Sequence, residues 1–197
     1  MAFAELLARS AFSFLRGASQ PEEMVERAKD LGLASMAICD RDGLYGTVRA
    51  HARAREIGFR TRVGAEITVS APGRDRNEKA RAPLLVALLV ETHEGYGNLC
   101  RLLTRAHEGL PKGESAAEAD WIAEHSAGLV ALVPADAGPD TPDADASRLL
   151  DVVRDAFGPR AFIAAYRRLD GFDARLDEHR HQVSVEPRRR RTSPRSA

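Results

Sequence analysis

The sequence predicts an α/β fold with a mostly parallel sheet. Six short apolar runs alternate with segments of helical periodicity, from Phe3 to Tyr166. Each change of period falls on Gly, Pro or acidic turn residues. Two of the runs, "PLLVALLV" and "LVALVP", are apolar at successive positions, the pattern of strands covered on both faces.

"FAELLA" (Phe3–Ala8) is the first strand. "SQPEEMVERAKDLG" is a helix, with Ser19 and Glu22 as a capping box, Pro21 in the first turn and Gly32 as the stop. "SMAICD" (Ser35–Asp40) is the second strand, and "RDGLYG" turns into a helix from Leu44 to Ile57, ended by Gly58. "TRVGAEITV" (Thr61–Val69) is the third strand, and Ser70–Ala82 reads as a polar loop. After "PLLVALLV" (Pro83–Val90), "YGNLCRLLTRAHEG" is an amphipathic helix with Tyr96, Leu99, Cys100, Leu102 and Leu103 expected to face inward. "ADWIAEHSAG" is a short helix, "LVALVP" (Leu129–Pro134) a strand, "RLLDVVRDAFG" a helix, and "AFIAAY" (Ala161–Tyr166) the sixth strand.

Of 197 residues, 44% are hydrophobic, enough for a sizeable core. Twenty-nine basic residues balance 29 acidic ones, so no global charge drives the chain toward nucleic acid or membrane. No apolar run approaches the ~20 residues of a membrane span, and no signal peptide is visible, so a cytoplasmic protein is expected. Cys39 and Cys100 have apolar neighbours and read as buried free thiols. The periodicity stops after about Leu176. Residues 1–177 are read as one domain, and 178–197, with six arginines, as a disordered tail.

In parallel-stranded folds, ligands gather where strands end. The positions to inspect are Leu7–Arg9, Asp40–Arg41, Glu66, Glu91–His93, Pro134–Asp136 and Arg167–Arg168. The stretches "FSFLRGAS" (Phe12–Ser19), "AICDRDGLYGTVRAHARARE", "VGAEI" and "GYGNLCRLLTRAHEG" stand in the order found in one family. From Ala4 to about Asp173 the chain resembles the N-terminal PHP (polymerase and histidinol phosphatase) domain of bacterial C-family DNA polymerases, of the DNA polymerase III alpha-subunit type. "FSFLRGAS" and "NLCRLLT" point to the error-prone, translesion branch.

The resemblance implies a PHP-type distorted (β/α) barrel, incomplete at the C-terminus, with metals held at the C-terminal strand ends. Metal-binding members carry a His-x-His after the first strand, a Glu after the third, further histidines and a late Asp-x-His. Multinuclear metal sites suit phosphoester hydrolysis because the ions generate hydroxide and clamp both oxygens. Here Leu7 and Arg9 occupy the His-x-His positions, Arg16 an acidic one and Arg41 a histidine one. Leucine has no donor atom, and arginine stays protonated. Only Glu66 keeps a ligand-type residue, as a vestigial metal ligand, and it is expected to pair with Arg9 or Arg41. The chain is read as ending before the Asp-x-His.

Other candidates have ordinary readings. His179–His181 and Arg188–Arg191 fall in the tail, where the arginines offer salt-dependent phosphate contacts without aromatics to stack bases. His51 and His107 lie on helices, and His93 is expected at the barrel mouth. Asp40 and Asp42 suit either an acid–base pair or a turn into a helix start, and the turn is preferred. The implied function is a non-catalytic PHP portion of an error-prone polymerase in translesion synthesis and repair. Its expected partners are the remainder of the polymerase, primer–template DNA and a sliding clamp. No cofactor is expected here, and the Mg²⁺-binding palm of the nucleotidyltransferase would lie elsewhere. The alternatives are a free-standing metal-dependent phosphoesterase of the PHP superfamily and a nucleic-acid-binding accessory. A barrel lacking its last unit would also leave "FAELLA" and "AFIAAY" as sheet edges prone to self-association.

Overall fold

Strand and helix alternate along the chain as the periodicity predicts. The computed structural model describes residues 3–70, 84–134 and 143–164. Strands β1 (Ala4–Ala8), β2 (Ser35–Arg41), β3 (Thr61–Val69), β4 (Leu84–Val90), β5 (Leu129–Pro134) and β6 (Ala161–Ala164) form one sheet in sequence order. Among the described residues β1 and β6 pair on one side only, so they are the sheet's edges. Helices α1 (Pro21–Asp30), α2 (Thr47–Ile57), α3 (His93–His107), α4 (Ala119–Glu124) and α5 (Asp143–Phe157) connect the strands. The expected tail and its boundary at 177 lie outside the described residues, as do Ala165 and Tyr166.

Pairing is parallel for β1–β2, β2–β3 and β5–β6, and antiparallel for β3–β4 and β4–β5. A single strand, β4, is reversed. The polar stretch before it has no helical period, and antiparallel neighbours need no crossover helix. This corrects the place expected for His93. The C-terminal end of β4 lies beside the start of β3, since Leu89 pairs with Gly64. Glu91–His93 therefore sit at the end of the sheet opposite Glu66. There His93 opens α3, while Glu91 N and Thr92 N both donate to Gly128 O.

The two faces of the sheet are filled differently. On one, α1 and α2 cover β2 through Val25, Ala28, Met36, Ile38, Ala50 and Ala54. Further along the same face, α3, α4 and α5 bury Ile67, Val86, Leu88, Leu102, Ile122 and Phe157. Fully burying one such side chain contributes roughly 1.5–3 kcal/mol. The other face carries Ala37, Cys39, Ala87, Leu89 and Leu132, with Leu7 packed against them. Residues of β2 (Ala37, Cys39) and β4 (Ala87, Leu89) meet across β3, so this face is concave. Gly64 lies between them. A Cβ there would stand 2.5 Å from Cys39 Sγ and 2.7 Å from Leu89 Cδ2. A side chain at 64 would therefore push Cys39 and Leu89 out of their present positions.

Three local expectations are corrected. The α1 cap is Gln20 rather than Ser19: Gln20 N donates to Glu23 Oε2 at 3.0 Å, and Ser19 O accepts from Ala11 N in the preceding loop. α2 begins at Thr47 rather than Leu44, because the turn after β2 continues to Gly46. The inward face of α3 is Gly95, Asn98, Leu99, Leu102, Leu103 and Ala106; Tyr96 is exposed and Cys100 half-buried. The helix starts at His93, where Thr92 Oγ1 accepts from Gly95 N at 3.1 Å. The stripe phased from that start leaves Tyr96 and Cys100, one turn apart, on its flank.

Candidate functional site at the C-terminal strand ends

The site is built where β1, β2 and β3 end side by side. Arg41 is the register partner of Glu66 on the β2–β3 ladder, so both side chains project from the same face of the sheet. Arg9 follows β1, and Arg16 comes from the loop after it. That loop is compact. Ser13 N, Arg16 N and Gly17 N donate in turn to Ser10 O, Ser13 O and Ser13 O at 2.9, 2.9 and 3.0 Å. A Cβ at Gly17 would lie 2.1 Å from Ser10 O, so no other residue closes the loop this way.

The loop is fastened to β2 through Asp40, which is 1% exposed. Its carboxylate accepts from Ser10 N at 2.8 Å, Ser10 Oγ at 2.7 Å and Ser13 Oγ at 2.6 Å. Ser13 Oγ in turn accepts from Arg41 N at 3.1 Å. Asp42 turns elsewhere: both its oxygens meet Thr68, accepting from the backbone N and from Oγ1 at 2.7 Å each. Burial raises the Asp42 carboxyl above the usual range, against the Thr68 bonds that lower it. The two carboxylates thus form no acid–base pair, and neither caps α2, whose N-cap is Gly46. The turn itself is where the sequence puts it, with Asp42 at φ 53°.

Glu66 is 2% exposed and faces three guanidinium groups. Arg9 Nη2 is in direct contact with Oε1, Arg16 Nη1 lies 3.2 Å from Oε2, and Arg41 Nε lies 3.7 Å from Oε2. The arginine side chains are 25%, 39% and 29% exposed, so the carboxylate forms the floor and the cations the rim. Arg41 is held below its ordinary pKa, first by burial and then by repulsion from Arg16. The Leu7 side chain offers no polar atom and packs into the apolar concave wall beside Cys39. Burial pushes the Cys39 thiol well up, and Glu66 adds to this; the thiol donates to Leu6 O at 3.2 Å. It is not a nucleophile.

This donor set does not fit a metal ion. Guanidinium groups have no lone pair to offer, and the one carboxylate is engaged by cations. Among the described residues no group of three or more His, Cys, Asp and Glu side chains is arranged to hold a metal. His51 and His93 are exposed on α2 and α3. His107 is half-buried, with Nδ1 2.9 Å from Glu114 O and Nε2 2.8 Å from Asp42 O, so it ties α3 to the turn after β2. Asp136, Arg167, Arg168, His179, His181 and Arg188–Arg191 lie outside the described residues. The serine cage of Asp40 was missed in the sequence, where nothing links Ser10 and Ser13 to a carboxylate 27 to 30 residues away.

The fold and the motifs together define a PHP domain. Residues 5–164 match the PHP domain family, and the chain belongs to it. Within that family it is similar to proteins named error-prone DNA polymerase. The one from Anaeromyxobacter dehalogenans (strain 2CP-C) is 45% identical over 186 residues, covering 88% of this chain and 15% of the relative. The one from Mycobacterium tuberculosis (strain ATCC 25618 / H37Rv) is 44% identical over 129 residues, covering 65% of this chain and 12% of the relative. The chain thus spans about 15% of the length of the first of these relatives. An amidohydrolase from Chromobacterium violaceum, solved with bound sulfate and no metal, shares the fold with a TM-score of 0.61. It is 18% identical, over 92% of this chain and 84% of that one. Among the described residues no helix is long and apolar enough to cross a membrane.

Proposed function

We propose that this chain serves as a non-catalytic PHP portion of an error-prone DNA polymerase in damage-induced translesion synthesis and repair. The observation that carries the non-catalytic part is the pairing of Glu66 with three arginines, where metal-binding members would hold ions. The relatives' names support the polymerase part. In this reading the domain is a scaffold for the remainder of the polymerase. That remainder supplies the Mg²⁺-binding palm and meets primer–template DNA and the sliding clamp in the cytoplasm.

Elemental analysis of the purified chain tests the metal assignment. The expected result is no stoichiometric zinc or manganese and no hydrolysis of a phosphodiester substrate. About one tightly bound ion per chain, lost in Glu66→Ala, would overturn it in favour of a free-standing phosphoesterase. The polymerase role is tested by replacing the PHP portion of a related error-prone polymerase with this chain. Damage-induced mutagenesis is expected to persist. For the nucleic-acid-accessory alternative, DNA binding that falls steeply with salt and vanishes on removing residues 178–197 would be required.

A further inference from the structure

We infer that Phe12, Phe14, Leu15, Tyr45 and Val48 form a preformed apolar docking surface, and that its occupant is an apolar face of the polymerase remainder. In the scaffold reading, on which this rests, it is the surface through which the domain acts.

Burial along the loop after β1 runs against residue type. Ser10 and Ser13 are buried, while Phe14 and Leu15 are 84% and 89% exposed and Phe12 is exposed beside them. Buried polar residues and clustered exposed apolar ones are the informative departures from ordinary packing. The cause here is the Asp40 cage. Ser10 and Ser13 turn inward to the carboxylate, so the residues between and after them face outward. Tyr45, in the turn after β2, and Val48, in the first turn of α2, are exposed as well. The Phe12 and Tyr45 ring centroids lie 6.4 Å apart. The two segments abut at Gly46, where a Cβ would stand 3.0 Å from Ser10 Oγ.

Backbone bonds hold this arrangement without help from the apolar side chains. Ala11 N donates to Ser19 O at 2.8 Å, and Arg16 N and Gly17 N both donate to Ser13 O. Leu15 has φ 61°, a left-handed conformation unfavourable to any residue with a Cβ. In the isolated domain a leucine there is unfavourable twice, in its backbone and in its contact with water. Burial against a partner removes the second cost and offsets the first.

Composition selects a protein face as that partner. Leu15 and Val48 have no ring on which a base could stack, and Arg49, 6.0 Å from the Phe12 ring centroid, is paired with Glu22. An apolar centre with a paired charge at its rim is the makeup of a protein interface. Five side chains fall short of the roughly 20–30 residues a side that hold free proteins together. A tethered partner needs less, because attachment raises its effective concentration. In the Anaeromyxobacter dehalogenans relative the matched stretch is 15% of the chain, so most of that polypeptide is tethered to it.

The test compares the full chain alone with a chimera, the related error-prone polymerase carrying this chain as its PHP portion. Hydroxyl-radical labelling of Phe12, Phe14 and Tyr45 is expected to be strong in the free chain. In the chimera it should fall to the level of the buried Phe157. Asparagine suits a positive φ, so Leu15→Asn should melt no lower than wild type as the free chain. The same change should make the chimera lose polymerase activity about 2–4 °C earlier, the scale of one lost contact in a domain of this size. Phe14→Ser should likewise spare the free chain and sensitise the chimera. Leu31→Ser, at an exposed apolar position at the end of α1, should do neither. An active chimera whose patch stays labelled, or whose Leu15 and Phe14 variants inactivate with wild type, would overturn the docking surface alone. An inactive chimera would overturn the scaffold reading and the surface with it. Protection of the free chain that fades on dilution would assign the patch to a second copy. Protection that requires added primer–template DNA would assign it to nucleic acid, and either result overturns the proposal.

Discussion

Two carboxylates, Asp40 and Glu66, are buried on adjacent strands and are surrounded in opposite ways. Asp40 is enclosed by a backbone N–H and two serine hydroxyls, all neutral and all within 2.8 Å. Glu66 is enclosed by three guanidinium groups on longer side chains. The first enclosure specifies a path: it pins the loop after β1 to the end of β2 with short, directional bonds. The second specifies a charge: it gathers cations that would otherwise repel. At Glu66 the charge around the carboxylate is supplied by the chain's own arginines.

The largest effect is expected from Glu66→Ala. Three arginines would lose their shared counter-charge while still partly buried, a change that costs about 3–5 kcal/mol for a buried pair. Chemical denaturation would measure it. A loss under about 1 kcal/mol would mean that the cage is a surface cluster, worth no more than exposed ion pairs. Asp40→Ala comes next. It strands three buried donors, and a loss of about 2–3 kcal/mol is expected, of the order of one or two unsatisfied groups. Its signature should be local, with faster hydrogen exchange in residues 9–17 and little change in α3–α5. Global loosening would show that Asp40 supports more than the loop.

A smaller effect, and one of opposite sign, is expected at Asp42. Its folded carboxyl titrates above the unfolded value of about 3.9. Between those two values the native state binds more protons than the unfolded chain, so this group lowers stability as pH rises through that window. The penalty is complete above the folded value and absent below the unfolded one. Asp42→Asn removes the titration, keeps both Thr68 contacts with donor and acceptor exchanged at Oγ1, and suits the positive φ. Its stability relative to wild type should rise with pH across the window, by less than about 1 kcal/mol. A difference curve that is flat or falls would contradict the burial effect.

The smallest effect concerns reactivity. Cys39 is buried and its thiol pushed up, while Cys100 is half-exposed. A thiol reagent should label the native chain at Cys100 first. Labelling of Cys39 should accelerate in Glu66→Ala if that change loosens the concave wall, and equal rates in wild type would place Cys39 nearer solvent than it is here.

By itself the sequence determined what depends on short chain separations. Strand and helix order and the glycine stops at Gly32 and Gly58 follow from periodicity and backbone hydrogen bonding within a few residues. That the side chains of Leu7, Arg9, Arg16 and Arg41 cannot ligate a metal was equally legible, because it depends on residue type alone. Tertiary structure alone decided the direction of β4, which carries His93 to the far end of the sheet. It decided the phase of α3, which turns Tyr96 and Cys100 aside. It also decided which donors reach Asp40, Asp42 and Glu66, across separations of 26 to 57 residues. Such partners are chosen when strands align and a loop closes over them. A carboxylate accepts from any donor brought within reach, so residue type names the need and only the packed chain names the partner.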